Sequence, residues 1–164
     1  MATSIRTKQK ITPFLWFNDN AEEAMKFYVS VFKNSKIVST TRYGEAGPGI
    51  KGTVMSATFK LLGQTFYALN GGPLFKFNES ISFFVNCETQ KEIDKFWEKL
   101  SKDGEKQQCG WLKDKYGLSW QIIPSILGKL LSDKDPAKAN RAMKAMLQMQ
   151  KIEIDELKKA HKGK

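Results

Sequence analysis

Residues 11–32 read ITPFLWFNDNAEEAMKFYVSVF, which joins a short apolar run to an amphipathic stretch. The apolar run at residues 11–17 predicts a buried strand, and Pro13 lies near its start, where a strand tolerates a missing N–H. Residues 18–20 supply turn and N-cap side chains. Four apolar residues then recur at the spacing of one helix face: Ala24, Phe27, Tyr28 and Val31. The segment therefore predicts a strand, a tight turn and a helix with one buried face.

Three more strands are predicted after this helix, at about residues 36–43, 53–61 and 64–69. Gly63 lies between the last two, as a hairpin requires. Residues 44–49 hold three glycines, but no Lys-Ser/Thr pair follows and no helix begins there, so they do not form a phosphate-binding loop. We expect a plain loop, with a mobile lid as the functional alternative.

The same pattern then restarts. Residues 81–86 predict a strand, Glu88 and Thr89 begin a helix, and residues 107–112 and 118–123 predict further strands. The second helix repeats the apolar face of the first, each residue 69 positions after its counterpart: Ile93, Phe96, Trp97 and Leu100. The order of strand, helix and three strands therefore occurs twice, which predicts an α+β fold of tandem βαβββ modules.

We place the paired modules within residues 1–135, at about 11–72 and 80–124, and a C-terminal helical extension at 136–164. Asp133 or Asp135 can cap a helix that has Pro136 in its first turn, and a second short helix is expected after Asp155. The first of these helices carries several large apolar side chains: Met143, Met146, Leu147 and Met149. Soluble monomers seldom expose such a patch, so we expect this helix to pack on the sheet or across a homodimer interface.

Composition excludes several classes of function. His161 is the one histidine, which leaves no imidazole within the modules for a Ser-His-Asp or Cys-His unit or for a His-rich zinc site. Cys87 and Cys109 lack CxxC spacing and are expected to be small buried or partly buried residues of a cytoplasmic protein. No apolar run is long enough to span a membrane, and the N-terminus does not resemble a secretory signal.

The chain is strongly basic, with 27 Lys and Arg against 17 Asp and Glu and a net charge of +10. Lysines alternate with acidic residues along the predicted helices, which favours solvated faces over nucleic-acid binding. An interaction module whose basic tail binds acidic partners is kept as an alternative. Asp114 and Lys115 are expected to form a solvated hairpin tip.

Five stretches carry a resemblance to a known family. They are residues 11–32 and the segments RYGEAGPG, YALNGGPLFKF, ISFFVNCET and CGWLKDKYGLSWQIIP. Together they resemble the PhnB-like branch, often labelled 3-demethylubiquinone 3-methyltransferase-like, of the vicinal oxygen chelate superfamily, which includes glyoxalase I, bleomycin-resistance proteins and extradiol dioxygenases. The resemblance covers roughly residues 11–160. It implies a cupped, mainly antiparallel sheet from each module, a pocket inside each cup and commonly a homodimer, but it does not supply a reaction.

The superfamily's usual metal site can be tested on this sequence. Its ligands lie on the first and last strands of each module, which correspond here to Thr12, Tyr67, Ser80 and Gln121, with Asn70 as an alternative to Tyr67. None of these residues is a carboxylate or an imidazole, the ligands that a divalent transition metal prefers. Glu79 precedes Ser80 but would face the opposite side. We therefore predict no metal and no cofactor, and assign no catalytic residue.

Strand alternation then predicts what lines the cups. The candidate ligand-binding residues are Phe14, Trp16, Tyr67, Asn70, Ser82, Phe84, Trp111 and Gln121. Aromatic walls with neutral polar groups suit a planar or uncharged organic molecule. The alternative is that these aromatic residues are core, since strands favour aromatics regardless of function.

Two enzyme hypotheses stand beside metal-independent binding of a small molecule. One is a metal-dependent glyoxalase or dioxygenase type of enzyme. The other is the methyltransferase of the family label, although a Rossmann-type methyltransferase would need a glycine-rich turn after a parallel strand, which the sequence does not contain.

Overall fold

The computed structural model describes residues 9–163. The chain divides into two compact units, with the boundary after Lys76. Each unit is built around one four-stranded sheet. Among the described residues, no helix is long and apolar enough to cross a membrane.

The first unit contains four strands and one helix: β1 (Phe14–Phe17), α1 (Ala21–Val31), β2 (Lys36–Arg42), β3 (Val54–Leu61) and β4 (Gln64–Asn70). The strands lie in the order β1-β4-β3-β2, with β1 parallel to β4 and the other pairs antiparallel. The elements agree with those expected from the sequence, although β1 begins at Phe14 rather than at residue 11.

The second unit repeats this arrangement: β5 (Ser82–Cys87), α2 (Gln90–Ser101), β6 (Glu105–Lys106), β7 (Trp111–Lys113) and β8 (Ser119–Pro124). Its strand order, β5-β8-β7-β6, is the order of the first sheet, and its first pair is again parallel. The tandem α+β repeat is thereby confirmed.

The single strand expected at residues 107–112 is wrong. Two short strands, β6 and β7, stand on either side of a turn in which Cys109 has φ 59° and Gly110 has φ 82°. Left-handed backbone cannot continue an extended strand, so the ladder breaks at these residues. β6 and β7 then pair antiparallel through Glu105 with Lys113 and Lys106 with Leu112.

The predicted helix faces pack against one side of each sheet. In α1, Ala24, Tyr28 and Val31 are buried, and the Tyr28 ring stacks on Phe59 of β3 with centroids 6.3 Å apart. In α2 the whole predicted face is buried. Thr89 caps α2 by accepting a hydrogen bond from the N–H of Glu92 at 3.2 Å. We call the opposite side of each sheet its open face.

Three helices follow β8: α3 (Ile126–Leu131), and then α4 (Pro136–Leu147) and α5 (Ile154–Lys162) in the C-terminal extension. Asp135 caps α4 by accepting from the N–H of Ala137 at 2.9 Å, and Pro136 lies in the first turn, as expected. The short helix α3 was not predicted. The extension shares a buried cluster with β8 and α3: Ile123, Leu127, Leu130, Ala142, Ile152 and Leu157.

Candidate functional site

The open face of the first sheet carries three of the predicted site residues. Along β1, Leu15 and Phe17 are buried beneath α1, whereas Phe14 and Trp16 point to the other side. Phe14 pairs in register with Tyr67 of β4, and their rings meet edge to face with centroids 6.1 Å apart. Phe14 is 58% exposed, so this aromatic pair is accessible.

Hydroxyl groups surround this aromatic pair. The register places Thr58 between Tyr67 and Ser39, and pairs Ser56 with Thr41. With Phe14 and Tyr67, these four residues line a shallow depression of about 280 Å³ that has no charged side chain in its lining. The sequence prediction missed the hydroxyls, although alternate Ser and Thr in β2 and β3 were the available signal.

Trp16 is held in one position by the segment that follows β4. Its indole Nε1 donates to the carbonyl oxygen of Gly72 at 2.9 Å, and its ring meets Phe75 edge to face at 5.0 Å. A Cβ on Gly71 would come within 2.3 Å of the indole ring, so only glycine permits this close approach.

Asn70 does not lie on the open face. Its side chain follows the alternation of Phe66 and Ala68 toward α1 and is 9% exposed. The Oδ1 atom accepts from the N–H of Ala21 at 2.8 Å, and Nδ2 donates to the carbonyl of Val54 at 2.9 Å. Both ends of the amide therefore tie the start of α1 to the sheet, and neither is directed toward the aromatic pair.

A second depression, of about 420 Å³, lies at the end of the first sheet beside the glycine-containing loop. The loop folds closely over Tyr43, because Cβ atoms on Gly47 and Gly49 would come within 2.7 and 2.3 Å of its ring. Tyr43 donates its hydroxyl to the carbonyl of Asn70 at 2.6 Å. Tyr43 is thus packed within its own loop.

The open face of the second sheet brings the other four predicted residues together. Gln121 of β8 pairs in register with Phe84 on one side and Trp111 on the other. Its Nε2 donates to the hydroxyl of Ser82 at 2.8 Å. Phe84 is 56% exposed and Trp111 is half-buried, so the ring surfaces are partly accessible.

Two charged residues on this side of the second unit, Lys113 and Glu79, were missed or misplaced by the sequence prediction. Lys113 pairs in register with Ser119, which puts both side chains on the face of Gln121. Glu79 was expected to point away, but its carboxylate forms an ion pair with the Lys113 ammonium. The hydrogen bond from Lys113 is the main cause that lowers the pKa of Glu79, and the same bond raises the pKa of Lys113.

Asp114, which was expected to be solvated, and Cys87, which was expected to be buried or partly buried, both lie in the interior of the second unit. The expectation that Asp114 is solvated is wrong, since it is 3% exposed and accepts from Tyr116 and Leu118 N–H groups and from Trp120 Nε1. Cys87 is fully buried, and burial raises the pKa of its thiol to about 12, with Glu92 and Glu88 adding to the effect. A thiol this weakly acidic is not an active nucleophile.

The donor set does not fit a divalent transition metal. Tyr67 and Gln121 face the open sides of their sheets but offer a phenol and an amide, and the Gln121 amide already binds Ser82. Within residues 9–163, no group of three or more His, Cys, Asp or Glu side chains could hold a metal ion.

Two sheets with the same strand order, each covered by a helix on one side, make this chain an α+β protein of tandem βαβββ modules. The family model described as 3-demethylubiquinone-9 3-methyltransferase matches residues 9–123, so the chain belongs to this family. The match ends before the helical extension, which we had expected the resemblance to include.

Solved structures agree with this assignment. A putative 3-demethylubiquinone-9 3-methyltransferase, PhnB protein, from Bacillus cereus is 46% identical over 71% of this chain and 100% of that chain, with TM-score 0.67. Protein PA1353 from Pseudomonas aeruginosa is 19% identical over 71% of this chain and 97% of that one, with TM-score 0.60. A comparison with the curated proteins finds no match.

Proposed function

We propose that this protein binds a small, planar, uncharged organic molecule without a metal, on the open face of its first sheet. One observation carries the proposal. An exposed pair of aromatic rings, Phe14 and Tyr67, shares a depression with four hydroxyl side chains and with no charged residue. Rings supply stacking area, and hydroxyls orient a ligand because each can both donate and accept a hydrogen bond.

The absence of charge in this lining argues for a neutral ligand. An ionised group placed against Phe14 and Tyr67 would lose hydration without gaining a counter-ion. A ketone, an ether or a hydroxyl would instead exchange water for the hydroxyls of Thr58, Ser56 or Thr41 at little cost. The same lining offers no general base and no strong metal ligand, so it supports binding better than catalysis.

The enzyme hypotheses have less support from this geometry. A metal-dependent reaction would need several His, Cys, Asp or Glu ligands close together, and residues 9–163 contain no such group of three or more. The methyltransferase of the family name would need a glycine-rich turn between a parallel strand and a helix, but residues 44–49 connect the antiparallel strands β2 and β3. We further propose that the protein acts in the cytoplasm as a homodimer.

Binding of 7-methoxycoumarin, a planar uncharged fluorophore, tests the proposal. We expect saturable binding to the full chain, unchanged by a chelator. Phe14→Ala should weaken it about tenfold, which is ~1.4 kcal/mol of lost stacking. Thr58→Val, which removes one hydroxyl at constant shape, should weaken it less. Leu62→Ala, at an exposed hairpin position outside the depression, is the control and should bind as the unaltered chain does.

Two results would contradict the proposal. One is equal affinity of the Phe14→Ala and Leu62→Ala variants, which would place the probe elsewhere. The other is binding that disappears with the chelator and returns with a divalent metal, which would favour the metal-dependent alternative. Native mass spectrometry of the purified chain, without added probe, should in addition detect any co-purified neutral molecule.

A further inference from the structure

The open face of the second sheet places a cation beside aromatic and polar side chains. Lys113 of β7 and Ser119 of β8 are partners across the ladder, and Trp111 and Gln121 are the next pair on the same face. An ammonium group, an indole, an amide and a hydroxyl are thus brought together by two neighbouring strands. The Lys113 side chain is 28% exposed, so its ammonium group can be reached.

Ser119 is the second observation that points to a ligand. The residue is completely buried, and its hydroxyl oxygen has no hydrogen-bond partner. A buried hydroxyl without a partner costs free energy that folding would normally recover through a hydrogen bond. Ser119 is the ladder partner of Lys113, which carries the one ammonium group of this pair of strands, so an unpartnered hydroxyl and a cation occupy neighbouring positions.

The Lys113 ammonium group already forms an ion pair with a carboxylate of the same unit. Glu79 belongs to the segment that precedes β5, outside any helix or strand, and it pairs with the Lys113 ammonium. Gln107 Nε2 also lies 3.5 Å from the Glu79 carboxylate. The Glu79 side chain is 47% exposed, and an ion pair so exposed contributes little to stability. Exchanging its carboxylate for that of another molecule therefore costs little.

Charge balance permits this exchange. Glu105 of β6 pairs in register with Lys113 and adds a second carboxylate to its surroundings. An additional anion would be repelled, but a ligand carboxylate that replaces Glu79 leaves the net charge around Lys113 unchanged. The rings of Phe84 and Trp111 lie on the same face and suit the body of an aromatic ligand.

We propose that the open face of the second sheet binds an aromatic monocarboxylate, with its carboxylate on Lys113 and Ser119 and its ring against Trp111 and Phe84. Glu79 occupies the carboxylate position in the free protein and is displaced by the ligand. This site is distinct from the one proposed on the first sheet: it uses different residues, and it takes an anionic ligand where the first takes a neutral one.

Calorimetric titration of the full chain with benzoate tests this inference. Glu79→Gln removes the internal competitor and should bind benzoate about tenfold more tightly than the unaltered chain. Lys113→Gln should abolish saturable binding, and Ser119→Ala should weaken it several-fold. Glu45→Gln alters the exposed ion pair with Lys51 in the first unit, so this matched control should leave benzoate affinity unchanged.

Benzamide, which has the same ring without the charge, should bind all variants weakly. The inference is overturned if Glu79→Gln shows no tighter binding than the unaltered chain, if Lys113→Gln binds benzoate equally well, or if benzamide matches benzoate. Misfolding cannot imitate the expected result, because one variant must gain affinity while its ion-pair partner loses it. Coumarin binding should be unaffected by these variants, which separates a failure here from a failure of the neutral-ligand proposal.

Discussion

Asp114 is a single side chain that holds a whole hairpin together. Its carboxylate accepts from the N–H groups of Tyr116 at 2.8 Å and Leu118 at 3.1 Å, and from Trp120 Nε1 at 2.8 Å. Asp114→Ala would leave these donors without their acceptor in a buried place. We expect the free energy of unfolding to fall by about 2–4 kcal/mol in urea titrations.

Lys115→Ala is the matched control, since it alters the neighbouring residue whose ammonium lies 4.9 Å from the centre of the Tyr116 ring. Its effect should stay below about 1 kcal/mol. Equal stability of the two variants would show that the carboxylate is not what holds the hairpin. The sequence placed the hairpin correctly at Gly117 but not the role of Asp114, because a charge at a turn is ordinarily solvated and only folding brings the Trp120 indole to it.

At the scale of elements, the spacing of apolar residues was sufficient to predict each helix or strand that buries one continuous face. Both main helices and the repeat follow from apolar residues spaced to form a single stripe. The break between β6 and β7 could not be predicted in this way. The N–H groups of Cys109 and Gly110 donate to the carbonyls of Met149 and Gln150, each at 2.7 Å. The acceptors lie about forty positions further along the chain, so the sequence around Cys109 does not reveal these hydrogen bonds.

In the candidate sites, too, residues on regular strands were predicted correctly and residues outside them were not. Alternation along β1 and β5 correctly separated the residues beneath the helices from those on the open faces, Phe14 and Phe84 among them. Asn70 was named as an alternative to Tyr67, and because the two lie three positions apart on one strand, only one of them can face outward; that residue is Tyr67. Alternation failed for Glu79, whose position depends on an irregular segment rather than on strand period.

Gln90, the first residue of α2, connects the extension to the second module through two hydrogen bonds. Its Nε2 donates to the carbonyl of Ile152 at 3.1 Å, and its Oε1 accepts from the N–H of Ile154 at 2.9 Å. We expect Gln90→Ala to speed amide hydrogen exchange in residues 149–157 while leaving exchange in β8 unchanged. Lys91→Ala, one position along at an exposed site, is the control. Identical exchange in both variants would contradict this role.

At the scale of the whole molecule, the helical extension is an addition to the part that the family model matches, which ends at residue 123. It nevertheless shares one core with β8. Ile152 and Leu157 are fully buried in the cluster around Ile123, and burying two such side chains contributes about 3–6 kcal/mol. That is a large share of a domain's net stability. The extension therefore acts as part of the second unit rather than as a separate tail.

The large apolar side chains of α4 and of the turn after it are only partly buried in this core. Met146 and Met149 pack against the cluster, but Met143 is 39% exposed and Leu147 is 53% exposed. We predict that the full chain is a homodimer that covers these two residues, and that removing residues 136–164 weakens the dimer and lowers the unfolding temperature. Light scattering after gel filtration and thermal unfolding measure the two effects.

A milder variant separates association from folding. Leu147→Lys places a charge at an exposed position of α4 and leaves the buried cluster intact, so it should shift the protein toward monomer with little change in unfolding temperature at high concentration. A cation in an apolar interface lacks a partner and opposes association, whereas on a free surface it is solvated. If the Leu147→Lys chain and the truncated chain both remained dimeric, the extension would have no part in association, and its packing around Ile123 would serve the second unit alone.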